Sequence, residues 1–285
     1  MPSRDEVWKA YKSYFTHEDY SAGNFRRQFN TIDQFTARFC RIIYKLLMRA
    51  TTWRGREKAW RAKSDTMFLG AGTPGCQRLL DVGCGKGDFM TRMHRRGWLV
   101  EGLEVDARAV EYARLTNGLT VHLGSLETIR FPDNSFDVIT SNHVIEHVHD
   151  PISLIRECLR VLKPAGRLVL ATPNIESFGH RIFGRNWSHL DAPRHLQLYS
   201  MNTLRECAVR AGFPSVEVWC PPGYAEGSIQ ASIERKNKVD GEMGSETRSC
   251  LEASCFKMRA YYRYFVKSDE SVGEEIFLMA TKGAK

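Results

Sequence analysis

The chain has 285 residues, 42% of them hydrophobic and 26% charged, which is enough for one full α/β domain and an appendage. It has no apolar run of about 18 residues, and it opens on Met1-Pro2-Ser3-Arg4-Asp5-Glu6 without an apolar stretch. Both features argue against a membrane span and a secretory signal, and for a cytoplasmic protein. The net charge of +8 is concentrated in residues 1–75, which carry 14 basic and 7 acidic side chains. The excess therefore describes that segment and says little about the core. None of the eight cysteines forms a Cys-x-x-Cys pair, so reduced thiols are expected, with neither a disulfide framework nor a zinc site.

Residues 1–75 read as a basic helical appendage or lid. Across 31–50, Ile32, Phe35, Phe39, Ile42, Ile43, Leu46 and Leu47 recur on one helical face, beside a stripe of Arg38, Arg41, Lys45 and Arg49. Packing of the apolar face on the main domain is the simpler reading. Peripheral membrane contact, or reception of a lipid-linked substrate, is the sharper one. Gly70, Gly72, Thr73, Pro74 and Gly75 mark a turn-rich linker from Met67 to Gln77, and the boundary is placed there.

From residue 76 the pattern changes. Leu79 to Val82 is a short apolar strand, followed by Gly83-Cys84-Gly85-Lys86-Gly87 and then a helical pattern carrying Phe89, Met90 and Met93. The glycines let backbone approach a ligand without Cβ interference. Turns of this kind serve several nucleotide cofactors, so this one is not decisive alone. A second strand, Leu99 to Glu104, ends in an acid placed to accept from ribose hydroxyls. Asp106 reads as the N-cap of the next helix. Strands follow at 119–123, 138–141 and 167–172, separated by helical patterns, one of them opened by Pro151. Alternation of this kind predicts a parallel, doubly wound sheet.

Five ordered blocks make the reading specific: Leu80-Asp-Val-Gly-Cys-Gly-Lys-Gly-Asp-Phe89, Gly102-Leu-Glu104, Pro132-Asp-Asn-Ser-Phe-Asp-Val138, Glu146-His147-Val148 with Asp150-Pro151, and Arg160-Val-Leu-Lys-Pro-Ala-Gly166. Together they resemble class I S-adenosylmethionine-dependent methyltransferases, over about 78–175. The resemblance implies an α/β fold with a doubly wound, seven-stranded, mostly parallel sheet in residues 76–285. It also implies S-adenosylmethionine as cofactor. The cofactor-binding set it implies is Asp81, Gly83, Cys84, Gly85, Glu104, Val105, Ser125, Leu126, Asn142 and His143. In that set Asp81 and the turn backbone face the methionyl part, Glu104 the ribose, Ser125 and Leu126 the adenine, and Asn142 and His143 the sulfonium. Two positions depart from the family pattern. Ala165 stands where a glycine is usual, and Ser125 where an aspartate is often found.

Beyond strand five, Thr172-Pro-Asn174, Trp187, Pro193-Arg-His-Leu196 and Tyr199-Ser200 are similar to a broad small-molecule and glycan subgroup that includes ubiquinone-type O-methyltransferases. A hydroxyl acceptor wants a base, and His147, His195 and His143 are the catalytic candidates, with His189 also in this region. Each of them could instead be a loop histidine with a purely structural hydrogen bond. His143 and His147 would share a face of a helix, yet no metal is expected, because His143 occupies the place of the first acid in the relatives' Glu-x-x-Glu-His arrangement. Residues 223–249, rich in Gly, Ser and charge, read as a partly mobile surface insertion. Glu275 to Thr281 is the last strand.

The expected activity is methyl transfer to a small-molecule, lipid-linked or glycan-linked acceptor, at oxygen. A cofactor-binding scaffold is the alternative from another class. A nucleic-acid methyltransferase is a weaker one, because the target-base signature is absent and no nucleic-acid partner is expected.

Overall fold

The computed structural model describes residues 53–221, 226–239, 256, 259–260, 263–264 and 268–284. The basic, apolar stripe at 31–50 and the aromatic residues upstream of it lie outside these. After a helix α1 (Trp53–Ser64), the chain runs β1 (Arg78–Val82), α2 (Asp88–His94), β2 (Leu99–Glu104), α3 (Ala107–Asn117), β3 (Val121–Leu123), α4 (Leu126–Ile129), β4 (Phe136–Asn142) and α5 (Pro151–Val161). There follow β5 (Leu162–Pro173), α6 (Phe178–Phe183), α7 (Met201–Ala211), β6 (Ser215–Trp219), α8 (Glu226–Val239) and β7 (Glu275–Thr281).

The seven strands form one sheet in the order β3-β2-β1-β4-β5-β7-β6. Pairing is parallel from β3 through β5, and β7 runs antiparallel to both of its neighbours. The order reverses between β1 and β4, so a crevice opens at the carboxyl ends of those strands, where open α/β sheets bind ligands.

Strand alternation sorts the core into two faces. Leu80, Ile139, Leu168, Leu170, Ile276 and Leu278 meet Ile155 and Cys158 of α5 and Leu204 and Ala208 of α7. Leu79, Val138, Val169, Ala171 and Phe277 face the other way, onto Met93 and Trp98. Met67 and Leu69 are buried in that second cluster, with Phe68 packed against it. The glycine-rich stretch predicted as a linker therefore begins as core.

Local capping follows the chemistry of the residues. Asp106 accepts from Arg108 N at the start of α3, and Asp150 from Ser153 N ahead of Pro151 in α5. The stretch 226–239, predicted as part of a mobile insertion, is a 14-residue helix. Ile229 and Ile233, one turn apart, are buried against Phe178 and Phe256, and the buried Ser232 Oγ accepts from Ser188 N at 2.9 Å.

Candidate active site at the carboxyl ends of β1, β2 and β4

The turn after β1 is built from three left-handed glycines, Gly83 (φ 73°), Gly85 (φ 54°) and Gly87 (φ 85°). At Gly83 a side chain is excluded by space as well, because a Cβ there would lie 2.3 Å from Val144 Cγ2. The backbone N–H groups of Gly83 and Cys84 both donate to Leu103 O at 2.7 and 3.2 Å, which ties the turn to the end of β2.

Glu104 spans this turn. Its Oε2 accepts from Gly85 N at 2.9 Å, and its Oε1 from Val105 N at 2.7 Å and Asp106 N at 3.0 Å. A carboxylate oxygen has two acceptor sites, so Oε2 keeps one for a ligand hydroxyl. Asp81 is buried and accepts from Thr140 Oγ1 at 2.7 Å. Burial pushes its carboxyl up to about 7, and the Glu104 charge adds to this, while the Thr140 bond and Arg92 oppose it. Two carboxylates beside a bare backbone turn can hold a ligand that carries a cation and a diol. Leu126 is buried at the head of α4, and Ser125 N donates to Thr128 Oγ1 at 2.8 Å. Val105 and Asn142 are exposed at the ends of β2 and β4. Cys84 is buried, and burial pushes its thiol well up, beyond use as a nucleophile.

The histidines cluster beyond β4. The stretch after Asn142 is not the helix that would have aligned His143 with His147. His143 is left-handed (φ 54°), and Ile145–His147 is a 3-10 turn. His143 is clamped, with Nδ1 3.1 Å from Glu146 Oε1 and Nε2 3.0 Å from Glu275 Oε1. Burial opposes its charge, but the two carboxylates outweigh burial and hold the ring's pKa well above the ordinary histidine value. Glu146 is fully buried; burial raises its pKa, yet the His143 bond and charge bring it down to about 2. Its other oxygen accepts from Thr172 Oγ1 at 3.0 Å. His143 is thus an imidazolium with both nitrogens engaged, which suits bracing the end of β4 and leaves no lone pair for base work.

His147 and His195 differ from it. His147 Nδ1 lies 3.1 Å from Arg194 O, and His195 Nδ1 lies 2.7 Å from His189 O. Carbonyls only accept, so each Nδ1 carries the proton, and in the neutral ring Nε2 holds the lone pair. The two rings meet edge to face at 4.8 Å. Burial lowers the His195 pKa, against the raising effect of Glu146. The His189 ring stacks on His143 at 6.0 Å, and its buried Nε2 has no hydrogen-bond partner among the described residues. Burial, then the nearby charges of His143 and His195, push His189 down to about 3.

Glu146, His147 and His195 also bring ligand atoms within 4.8 Å of one another, a spacing that can hold a metal ion, although both Glu146 oxygens are already engaged. Sequence reasoning missed Glu274, Glu275 and Trp187 as neighbours of these histidines. The available signal was a pair of acids opening an otherwise apolar strand, Glu274-Glu275-Ile276-Phe277-Leu278.

The described residues contain no helix long and apolar enough to cross a membrane. Comparison with known proteins agrees with the fold. The chain is 37% identical over 108 residues to the ubiquinone biosynthesis O-methyltransferase of Haemophilus ducreyi, covering 34% of this chain and 46% of that protein. It is 36% identical over 145 residues to the enzyme of that name from Pseudomonas aeruginosa, covering 46% and 62%. The chain thus spans about half the length of the curated relatives it matches. Among solved structures, the putative methyltransferase complexed with the Trm112 activator of Haloferax volcanii aligns with TM-score 0.56 at 18% identity, over 81% of this chain and 95% of that one. Phosphoethanolamine N-methyltransferase 2 of Haemonchus contortus, in complex with S-adenosyl-L-methionine, aligns with TM-score 0.53 at 20% identity, over 79% and 53%. These two likenesses concern the fold. A family model described as a methyltransferase domain matches residues 38–218, more than half of the chain. The chain belongs to the methyltransferase domain family.

Proposed function

We propose that this protein transfers a methyl group from S-adenosylmethionine to an oxygen of a small-molecule acceptor, including one carried on a lipid or glycan intermediate. The observation that carries the reading is that the glycine turn after β1 lies against the loop leading into the histidines, with Gly83 facing Val144. On one side Glu104 spans a left-handed glycine turn. On the other, His147 and His195 have both Nδ1 protons committed to carbonyls. The O-methyltransferase names of the curated relatives support oxygen as the target.

When bound, S-adenosylmethionine supplies a methyl group already activated on a sulfonium. Asp81 and the turn backbone would hold its ammonium end, Glu104 the ribose, and Ser125 and Leu126 the adenine, with Gly83, Gly85, Cys84, Val105 and Asn142 bordering it. The acceptor oxygen must lie in line with the methyl carbon, and that placement supplies much of the acceleration. His147 Nε2 takes the hydroxyl proton as the oxygen forms its new bond, with the His195 ring packed against it. His143 holds the crevice rigid. The base needs no metal for this step, because the His147 ring itself takes the proton. The basic stripe at 31–50 is the proposed contact for a lipid-linked acceptor, in a cytoplasmic protein.

The test is binding of S-adenosylmethionine to purified protein, followed by S-adenosylhomocysteine release on addition of phenolic and glycan-type hydroxyl acceptors. Cofactor binding with release only in the presence of a hydroxyl acceptor is expected. No binding of the cofactor or its product would end the proposal. Binding without turnover across the panel would favour a scaffold.

A further inference from the structure

Glu274, the residue just ahead of β7, is a carboxylate almost sealed from solvent, 4% exposed. Three donors converge on it: Trp187 Nε1 at 2.7 Å, Gly179 N at 2.7 Å and Ser177 Oγ at 3.3 Å. The fit leaves no slack, because a Cβ on Gly179 would sit 2.3 Å from Oε2. Burial pushes the carboxyl up to about 7 against the pull of those three bonds.

Trp187 leads on to the histidines. Its side chain is wholly buried, and its ring meets the His189 ring at 5.3 Å. It also opens the 3-10 turn Ser188–Leu190, with Leu190 N donating to Trp187 O at 3.2 Å. Among the described residues the His189 Nε2 has no hydrogen-bond partner, and the ring is flanked by Trp187 at 5.3 Å and His143 at 6.0 Å. His189 O then accepts the Nδ1 proton of His195 at 2.7 Å, which fixes the tautomer of the ring lying 4.8 Å from His147.

We propose that Glu274 is a positioning residue for the histidine pair: through Trp187 and the turn that carries His189, it holds His195 in the tautomer that leaves Nε2 as acceptor. The assignment rests on the reading of His147 and His195 as the base pair. A carboxylate suits the task because all three donors need an acceptor, whereas a glutamine would turn an NH2 group toward one of them. Neighbouring Glu275 performs the complementary task on the other side of the strand, holding His143.

The experiment uses full-length protein with ¹⁵N-labelled histidine, saturated with S-adenosylhomocysteine. The His195 tautomer is read from its ring nitrogen shifts, and the Trp187 indole N–H serves as reporter of the Glu274 contact. In wild type His195 is a single Nδ1–H tautomer. In Glu274→Gln and in Trp187→Phe the tautomer ratio moves about fivefold toward the other form, the scale of one lost hydrogen bond. The double variant moves no further than either single one, as members of one chain of contacts should. Affinity for S-adenosylhomocysteine stays within about twofold of wild type in all three, since the cofactor turn is untouched. A His195 that keeps its tautomer while the indole signal shifts, or single effects that add in the double variant, overturns the proposal. Should Glu274→Gln fail to fold, Trp187→Phe alone decides by the same tautomer reading. Failure of wild type to bind S-adenosylhomocysteine would sink the methyltransferase reading, while the ring spectra would still report on the relay.

Discussion

His143 and Glu275 lie 132 positions apart in sequence, and their Nε2 and Oε1 atoms are 3.0 Å apart, joining the end of β4 to the first residue of β7. The pair stabilises the fold most where His143 is charged. Its folded pKa is raised well above 6.5. The stability it contributes is therefore fully present below pH 6.5 and is lost as pH rises through that higher value. Glu275→Gln should cost about 1.5–3 kcal/mol at pH 6, the scale of a hydrogen bond to a charged group, and less once pH has risen through the raised His143 value. Urea unfolding over a pH series, beside an NMR titration of the His143 ring, measures the difference; a cost that does not fall as the ring loses its proton would mean that the charge contributes nothing.

Asp81 gives the cofactor site its own pH dependence. Its carboxyl titrates at about 7 in the free protein, raised by burial. An ammonium beside it favours the ionised form, so binding below pH 7 must expel a proton. Affinity for S-adenosylmethionine should rise with pH from 5.5 to 7, by up to about tenfold per unit, and level off above. Calorimetric titration across that window would show the slope, and Asp81→Asn should remove it along with much of the affinity. A slope that survives Asp81→Asn belongs to another group.

Replacing the two histidines should separate chemistry from binding. His147→Gln is expected to lower kcat by about 10²–10³, the range for loss of a general base, with cofactor affinity unchanged. His195→Gln should lower kcat less. Chelator treatment should leave the rate intact, since the proton acceptor is the His147 ring itself. Loss of activity with EDTA and recovery on adding a divalent ion would instead give Glu146, His147 and His195 a metal to hold.

Ala165 adopts φ 61° in the turn inside β5. A Cβ in the left-handed region costs about 1–2 kcal/mol, part of which is offset by the greater freedom of glycine in the unfolded chain. Ala165→Gly should therefore stabilise the protein by about 0.5–1 kcal/mol, seen as a higher melting temperature with unchanged kcat.

The meeting of the glycine turn with Glu104 was legible because its signals are local. The strand, the glycine turn and the acid ending β2 lie within one βαβ unit, and Gly83, Gly85 and Glu104 meet where that unit must bring them. The acceptor half was less legible because its partners are remote. Nothing near His143 in sequence announces Glu275, and nothing near Trp187 announces Glu274. The short helix pattern in 226–239 was obscured by polar residues, yet some of these help dock it, Ser232 Oγ accepting from Ser188 N beside the buried Ile229 and Ile233. Met67 and Leu69 were hidden by the glycines that follow them, which suggested a linker where the chain is already packed.

The antiparallel strand β7 lies between β5 and β6 and is the last strand in the chain. β1 and β2, which frame the glycine turn, lie close in sequence, with Leu79 paired to Val100, and can pair before β7 is made. Both acids that lock the histidine side arrive only when β7 slots between two strands already made. The glycine turn can therefore form before the histidines are locked, and the lock closes when β7 enters the sheet.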